Sequence, residues 1–344
     1  MLGRTVAFPP HVGRPHRAKA VSIGAVCLLL LAGCGDSGGT QDDSAGGGSG
    51  GGGLGLGGEG AGTAEQGGSG GINGSGGSQG GDAPEGGGGG GGPEPGGKPG
   101  PDNTGVPPGT VLTQVPGMEI TTPGAVIEDV EILDCVSVNA PNVTIRRSII
   151  RCTGNYPVRI HEGASLLIED SEIAASGGIA TSGIAFGNYT ARRLDVHGAA
   201  DGFKADSNVV IEDCWIHDLW LGEGDHADGI QTTGGSNVIV RRNFIDIVDH
   251  GNGHGGNPNS CLQGGDENAP NGDWLFEDNW LYGGGWVVNF SGSAGNNQFS
   301  NNRFGRGEAE VPGQPDYPEY GPIVVYGDVD VSGNVWDDDG TPAE

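Results

Sequence analysis

A six-residue phrase recurs through the C-terminal two-thirds of the chain, and it limits the possible folds more than any other feature. It reads apolar, two charged or polar residues, a small or polar residue, any residue, apolar. Nine copies occupy residues 127–132, 145–150, 168–173, 191–196, 211–216, 240–245, 276–281, 299–304 and 331–336. A phrase repeated every 18 to 36 residues marks a fold in which each unit buries its apolar side chains against the next. The fourth position reads Val130, Ser148, Ser171, Leu194, Cys214, Asn243, Asn279, Asn302 and Asn334. Four consecutive Asn in one column suit an inward turn, where each carboxamide bonds the next copy along a stack.

Between the copies lie short apolar and polar segments bounded by Gly, Asn and Asp, which are strand and turn signals. No stretch carries a helical period long enough to propose a helix. A β-sandwich would alternate apolar and polar residues without a fixed column of Asn. The repeat, the Asn/Ser column and the turns resemble the right-handed parallel β-helix of the pectate-lyase-like superfamily, over residues 111–336. The resemblance implies an all-β solenoid of about nine rungs filling residues 110–344. The superfamily holds lyases, hydrolases, epimerases and noncatalytic adhesins, so a shared fold does not choose an activity.

The amino-terminal third reads as an address and a tether. Residues 1–19 carry Arg4, Arg14, Arg17 and Lys19 and no acid, and a short apolar run follows. That run is too brief for a comfortable membrane span and suits a signal peptide over residues 1–33. It ends Leu31-Ala32-Gly33-Cys34, which resembles the bacterial lipobox. The resemblance implies a lipid on Cys34, and Gly35 at the following position implies outer-membrane or cell-surface display. The membrane is then a partner through the lipid anchor only. Residues 34–109 form a Gly-rich linker. The chain holds 74 Gly, and in this stretch they have no collagen-like period and almost no apolar side chains to support a core.

Cysteine use fits export. Cys135 and Cys152 follow the first two phrases at nearly the same offset, so they fall on adjacent rungs and can form a disulfide. Cys214 and Cys261 either pair or remain buried thiols. Charge excludes one class of partner. Sixteen Lys and Arg stand against 44 Asp and Glu, a formal net charge of −28, which leaves no basic face for nucleic acid. Acidic polymers are disfavoured for the same reason, and a neutral or Ca²⁺-bridged glycan fits better. The chain is expected to act as a monomer.

Candidate chemistry lies on a second column, upstream of the later phrases. The outward positions of these short strands read Ala185, Lys204, Gln231, Gln263 and Asn289. Two residues before the apolar member the column reads Ser182, Asp201, Asp228, Ser260 and Trp286. A third column places His197 and His217 on neighbouring rungs. Insertions at residues 220–225, 249–260 and 263–273 are expected to frame a binding face.

Lys204, His217, His226 and Asp228 are the candidate catalytic residues. An eliminative lyase needs a base for the proton α to a carboxylate, which Lys204, His217 or His226 supplies. A hydrolase needs two carboxylates, which Asp201 and Asp228 supply. The same pair admits Ca²⁺ as cofactor. His197, Asp201, Trp220, Gln231, Gln263, Trp286 and Asn289 are candidate sugar contacts, with Trp274 as a further stacking ring. Asp before Gly also serves as plain turn structure, the loop from His250 to His254 has metal-like residue types only, and Asp337-Asp338-Asp339 reads as a solvated tail. Two readings follow: a surface-anchored protein that binds and cleaves an extracellular polysaccharide in a lyase-like way, or a noncatalytic glycan-binding or adhesive rod.

Overall fold

The computed structural model describes residues 97–343, apart from 177, 221, 223–225 and 252–256. The signal segment, Cys34, the linker up to residue 96 and His254 lie outside the described residues. Every described strand pair within the sheets is parallel, and the strands stack as a parallel β-helix of nine coils. Each of the first seven coils has three separate strands. They are called here the front, side and back strands, in chain order.

Back strands, from Thr113–Val115 to Val335–Trp336, form a ten-stranded sheet. Front and side strands belong to a sixteen-stranded sheet, because the two merge late in the chain. Trp286–Ser300 runs as one strand through both positions, and Gly321–Ser332 pairs along it. Inward side chains stack by type. Along the back sheet Ile132, Ile150, Ile173, Val196, Ile216, Ile245, Leu281 and Phe304 align in register and are buried. Branched aliphatic residues suit this pleated, fully enclosed surface.

The recurring phrase is the corner from side strand to back strand. Its third residue takes positive φ in every coil: Asp129, Arg147, Asp170, Arg193, Asp213, Arg242, Asp278, Asn301 and Gly333. That conformation bends the chain sharply and is unfavourable for most side chains. Acids and arginines alternate in this column and in the one before it. Arg147, Arg193 and Arg242 each pair with an Asp of the preceding coil, at 2.8, 2.6 and 2.8 Å. Arg146 pairs with Glu128, while Arg192 and Arg241 both reach Glu212. A slip of one coil would set acid against acid, so the alternation specifies register as well as attraction.

Inside the corner, the Asn column forms a continuous ladder. Asn279 Oδ1 accepts from the backbone N–H and the Nδ2 of Asn243, both at 3.0 Å. Asn302 does the same for Asn279, and Asn334 for Asn302. Each Nδ2 also donates to a backbone carbonyl of the side strand, as Asn279 does to Val240. Ser148, Ser171 and Cys214 make weaker versions of the same contact earlier in the stack.

Residues 97–109, expected in the linker, lie along the back sheet. Lys98 Nζ sits 3.7 Å from the ring centre of Phe244 and 4.0 Å from that of Tyr282, on the sixth and seventh coils. Gly105 N donates to Arg193 O on the fourth coil, and Thr113 N to Asp129 O on the first. The segment therefore runs down the outside of the back sheet against the direction of coil growth. The carboxyl-terminal residues also fold back. Ala343 is buried, Arg306 holds Asp338 and Asp339, and Tyr282 Oη donates to Asp337 Oδ2 at 2.5 Å. The Asp run anchors this end and is not a free solvated tail. Cys135 and Cys152 are joined as a disulfide, and Cys214 and Cys261 are buried free thiols.

Candidate functional site

The candidate site lies on the front strands, and an irregularity in those strands creates it. Gly202 and Gly229 face inward. A Cβ on Gly202 would lie 2.7 Å from Ile216 Cγ2, and one on Gly229 2.2 Å from Ile245 Cγ2. The next residues, Phe203 and Ile230, are buried as well. Two consecutive inward residues break the simple alternation of a strand. Asp201 and Lys204 therefore share the outer side, as do Asp228 and Gln231. The glycines are required by the close approach of front and back strands. The Asp-Gly turn anticipated from the sequence is not present, because both pairs lie within strands, Asp201–Lys204 and His226–Thr232.

The outward residues form one connected network. Lys204 Nζ donates to Asp201 Oδ2 at 2.7 Å and also to Gln231 Oε1 on the next coil. Gln231 Nε2 donates to Asp228 Oδ2 at 3.2 Å. The backbone N–H of Asp228 donates to Asp201 Oδ1 at 3.1 Å. Asp228 Oδ1 then accepts from Asn259 Nδ2 at 2.8 Å and from the Ser260 N–H at 3.2 Å. Ser260 Oγ donates to Gln263 Oε1 at 3.3 Å. Lys204, Gln231, Gln263 and Asn289 are in register on four successive coils. An ammonium thus stands beside the carboxylates to which the sequence assigned Ca²⁺.

Burial dominates the electrostatics. Asp201 and Asp228 are almost fully covered, at 5% and 1% exposure. Burial raises the pKa of Asp201 against the pull of Lys204. Burial raises Asp228 well above the carboxylate range, and the neighbouring Asp201 charge adds to it. Both carboxyls in these adjacent coils therefore hold a proton more tightly than an exposed carboxyl does.

His226 begins the same front strand and lines a cavity of about 600 Å³. The cavity lies at the back-to-front corners of the later coils. Asn259 lines it too and so links it to Asp228. Its far wall is the excursion 305–320, which brings Glu310, Tyr317, Glu319 and Tyr320 to the opening. Sequence reading missed this wall. The signal was the long gap between the eighth and ninth phrases, with no strand pattern in its first half. Tyr320 stands beside Trp286, ring centres 6.3 Å apart.

Other expected residues lie elsewhere. His197 and His217 are in register on the back sheet, so they are close to each other and are not part of the front network. His217 stacks on Trp215 at 3.5 Å, and its two nitrogens meet Asp195 and Asp218, each at 2.8 Å. Burial opposes the imidazolium there, but the bonds to Asp195 and Asp218 outweigh it and raise the pKa. Both nitrogens are engaged, which suits a packed ring and not a free base. Trp220 lies against Gly178, whose Cβ would come within 2.6 Å of its ring. Trp274 is buried and donates Nε1 to Gly235 O at 3.0 Å, so it offers no stacking surface.

Compared with protein-family models, curated proteins and solved structures, the chain gives no match.

Proposed function

We propose that this protein binds an extracellular glycan along its front face, held at the outer membrane or cell surface by a lipid on Cys34. The observation that carries this reading is the register of Lys204, Gln231, Gln263 and Asn289 beside the cavity. Amide and ammonium groups repeated at the strand spacing, about 4.8 Å, suit the hydroxyls of an extended sugar chain. Trp286 and Tyr320 add an aromatic pair at one end of that line.

Binding is favoured over cleavage by the burial of the two carboxyls. Asp201 and Asp228 are almost fully covered and accept bonds from neighbours on both oxygens, whereas Lys204, Gln231, Gln263 and Asn289 are partly exposed. A general base or acid must reach the reacting atom of the substrate. A second reading, cleavage of the lyase-like kind that the pectate-lyase-like superfamily includes, rests on the Asp201 and Asp228 carboxyls on adjacent coils with Lys204 and His226 nearby.

One experiment separates the two. The purified protein is incubated with a panel of neutral, basic and uronic-acid polysaccharides, with and without Ca²⁺. Retention is read by affinity electrophoresis, and new unsaturated or reducing ends by absorbance. Retention without new ends is the expected result. New ends that disappear in Lys204→Ala and His226→Ala would replace binding by catalysis. No retention of any polymer would overturn the glycan reading.

A further inference from the structure

A second aromatic cluster lies on the front face, at the end away from Trp286 and Tyr320. Tyr156 stands two residues before the front strand of the third coil, Val158–Ile160, and Phe186 directly follows that of the fourth, Ser182–Ala185. The two ring centres are 5.4 Å apart. Arg159 Cζ lies 5.6 Å from the centre of the Tyr156 ring and 5.7 Å from that of Phe186. Arg159 is exposed, and both rings are half-buried.

The pairing of Arg159 is exceptional. Every other described Arg is joined to a carboxylate. Arg159 makes no ion pair among the described residues, on a chain with 44 Asp and Glu against 16 Lys and Arg. Its planar fork of N–H donors is held beside two rings and is open to an oxygen acceptor from outside. The residue also continues the front register. The outward column runs Arg159, Ala185, Lys204, Gln231, Gln263 and Asn289, so only the small, buried Ala185 separates Arg159 from Lys204. Asn289 shares its strand with Trp286. Five coil steps therefore separate the two aromatic clusters, about 24 Å at the strand spacing. Aromatic rings close both ends of a line of hydrogen-bonding side chains. Rings of this kind pack on the apolar face of a sugar, while amides and a guanidinium take its oxygens.

We infer that Tyr156, Phe186 and Arg159 form a second sugar subsite, and that one glycan strand lying along the helix axis bridges it to Trp286 and Tyr320. At roughly one unit per coil, that strand has about five or six units. This inference rests on the glycan-binding reading and adds the length and direction of the bound segment. Two subsites on one strand reinforce each other only when the oligosaccharide is long enough to reach both. The probes are three-unit and six-unit oligosaccharides of the β-glucan, xylan, mannan, chitosan and polygalacturonate series, titrated calorimetrically into the purified full chain. In a series that binds, the six-unit member is expected to bind at least tenfold more tightly than the three-unit member. Arg159→Ala and Tyr156→Ala are each expected to remove most of that difference, as Trp286→Ala is from the other end. Arg159 is exposed and unpaired by carboxylates, so its removal leaves the fold intact, and a circular dichroism spectrum identical to wild type checks each variant. Equal affinity for the two lengths, or a length difference that survives both Arg159→Ala and Tyr156→Ala, would overturn the inference while leaving glycan binding intact. Retention of a polysaccharide without binding of any six-unit probe would do the same. No retention of any polymer on the wider panel would overturn both.

Discussion

Lys204 Nζ lies 2.7 Å from Asp201 Oδ2, three residues back on the same strand. An ordinary strand turns residues i and i+3 to opposite faces. These two meet because Gly202 and Phe203 both point into the core. The contact places an ion pair at a largely covered position, where removing one partner costs more than the pair contributes.

Lys204→Met is therefore expected to destabilise the domain by about 3 kcal/mol at neutral pH. Adding Asp201→Asn to that variant should restore most of the loss. Urea unfolding of the single and double variants checks this. Equal stability of both would show that Asp201 does not need its cation.

Asp228 should make stability depend on pH in a direction opposite to most surface acids. Its folded pKa is raised, so the folded state holds more protons than the unfolded one. Stability from this group is present at acid pH and is lost as pH rises from the ordinary value of 3.8. Asp228→Asn removes the effect. The variant is expected to gain progressively on wild type as pH rises from 4 to 7. Thermal unfolding at three pH values reads the difference.

The Asn ladder should fail at its centre. Asn279→Leu leaves the backbone N–H and Nδ2 of Asn243 without their acceptor, in a buried corner. A stranded buried donor costs about 1–3 kcal/mol, so a loss near 3 kcal/mol or more is expected. Chemical denaturation measures it, and a loss below 1 kcal/mol would mean that water or repacking replaces the bond.

His250 should clamp the cavity wall in its charged form. Its bond to Asp246 raises its pKa from 6.5 to about 9, against desolvation, with Glu310 assisting. The clamp is thus complete below pH 6.5 and is lost as pH rises through about 9. Protease cleavage within 305–320 is expected to speed up between pH 7 and pH 10 in wild type. His250→Gln should show the faster rate throughout.

Lys98 should hold the descending segment to the back sheet. Its ammonium lies over two rings, a contact worth about 0.5–2 kcal/mol. Lys98→Ala is expected to raise amide exchange in residues 97–105 while leaving exchange in the coils unchanged.

Much of the architecture was legible without coordinates. The phrase repeats because every coil must make the same sharp corner, and the Asn column repeats because every corner must satisfy the same buried groups. Local geometry of that kind leaves a periodic trace. The Glu-Asp and Arg-Arg alternation was equally present, at a period of two coils, and is easily passed over when each copy is reduced to polar and apolar. The front register of Lys204, Gln231, Gln263 and Asn289 also follows from aligned strands.

The sequence by itself determined a stack of parallel coils, its corners, its buried Asn column and the line of polar side chains on one face. Only the tertiary structure decided which of those side chains are free to meet a ligand. Asp201 and Asp228 are covered and mutually occupied, His197 and His217 belong to another face, and the cavity wall comes from residues 305–320. Periodicity records what each coil repeats. It carries no record of how far neighbouring strands approach, and that approach turned Gly202 and Gly229 inward and brought Lys204 onto Asp201.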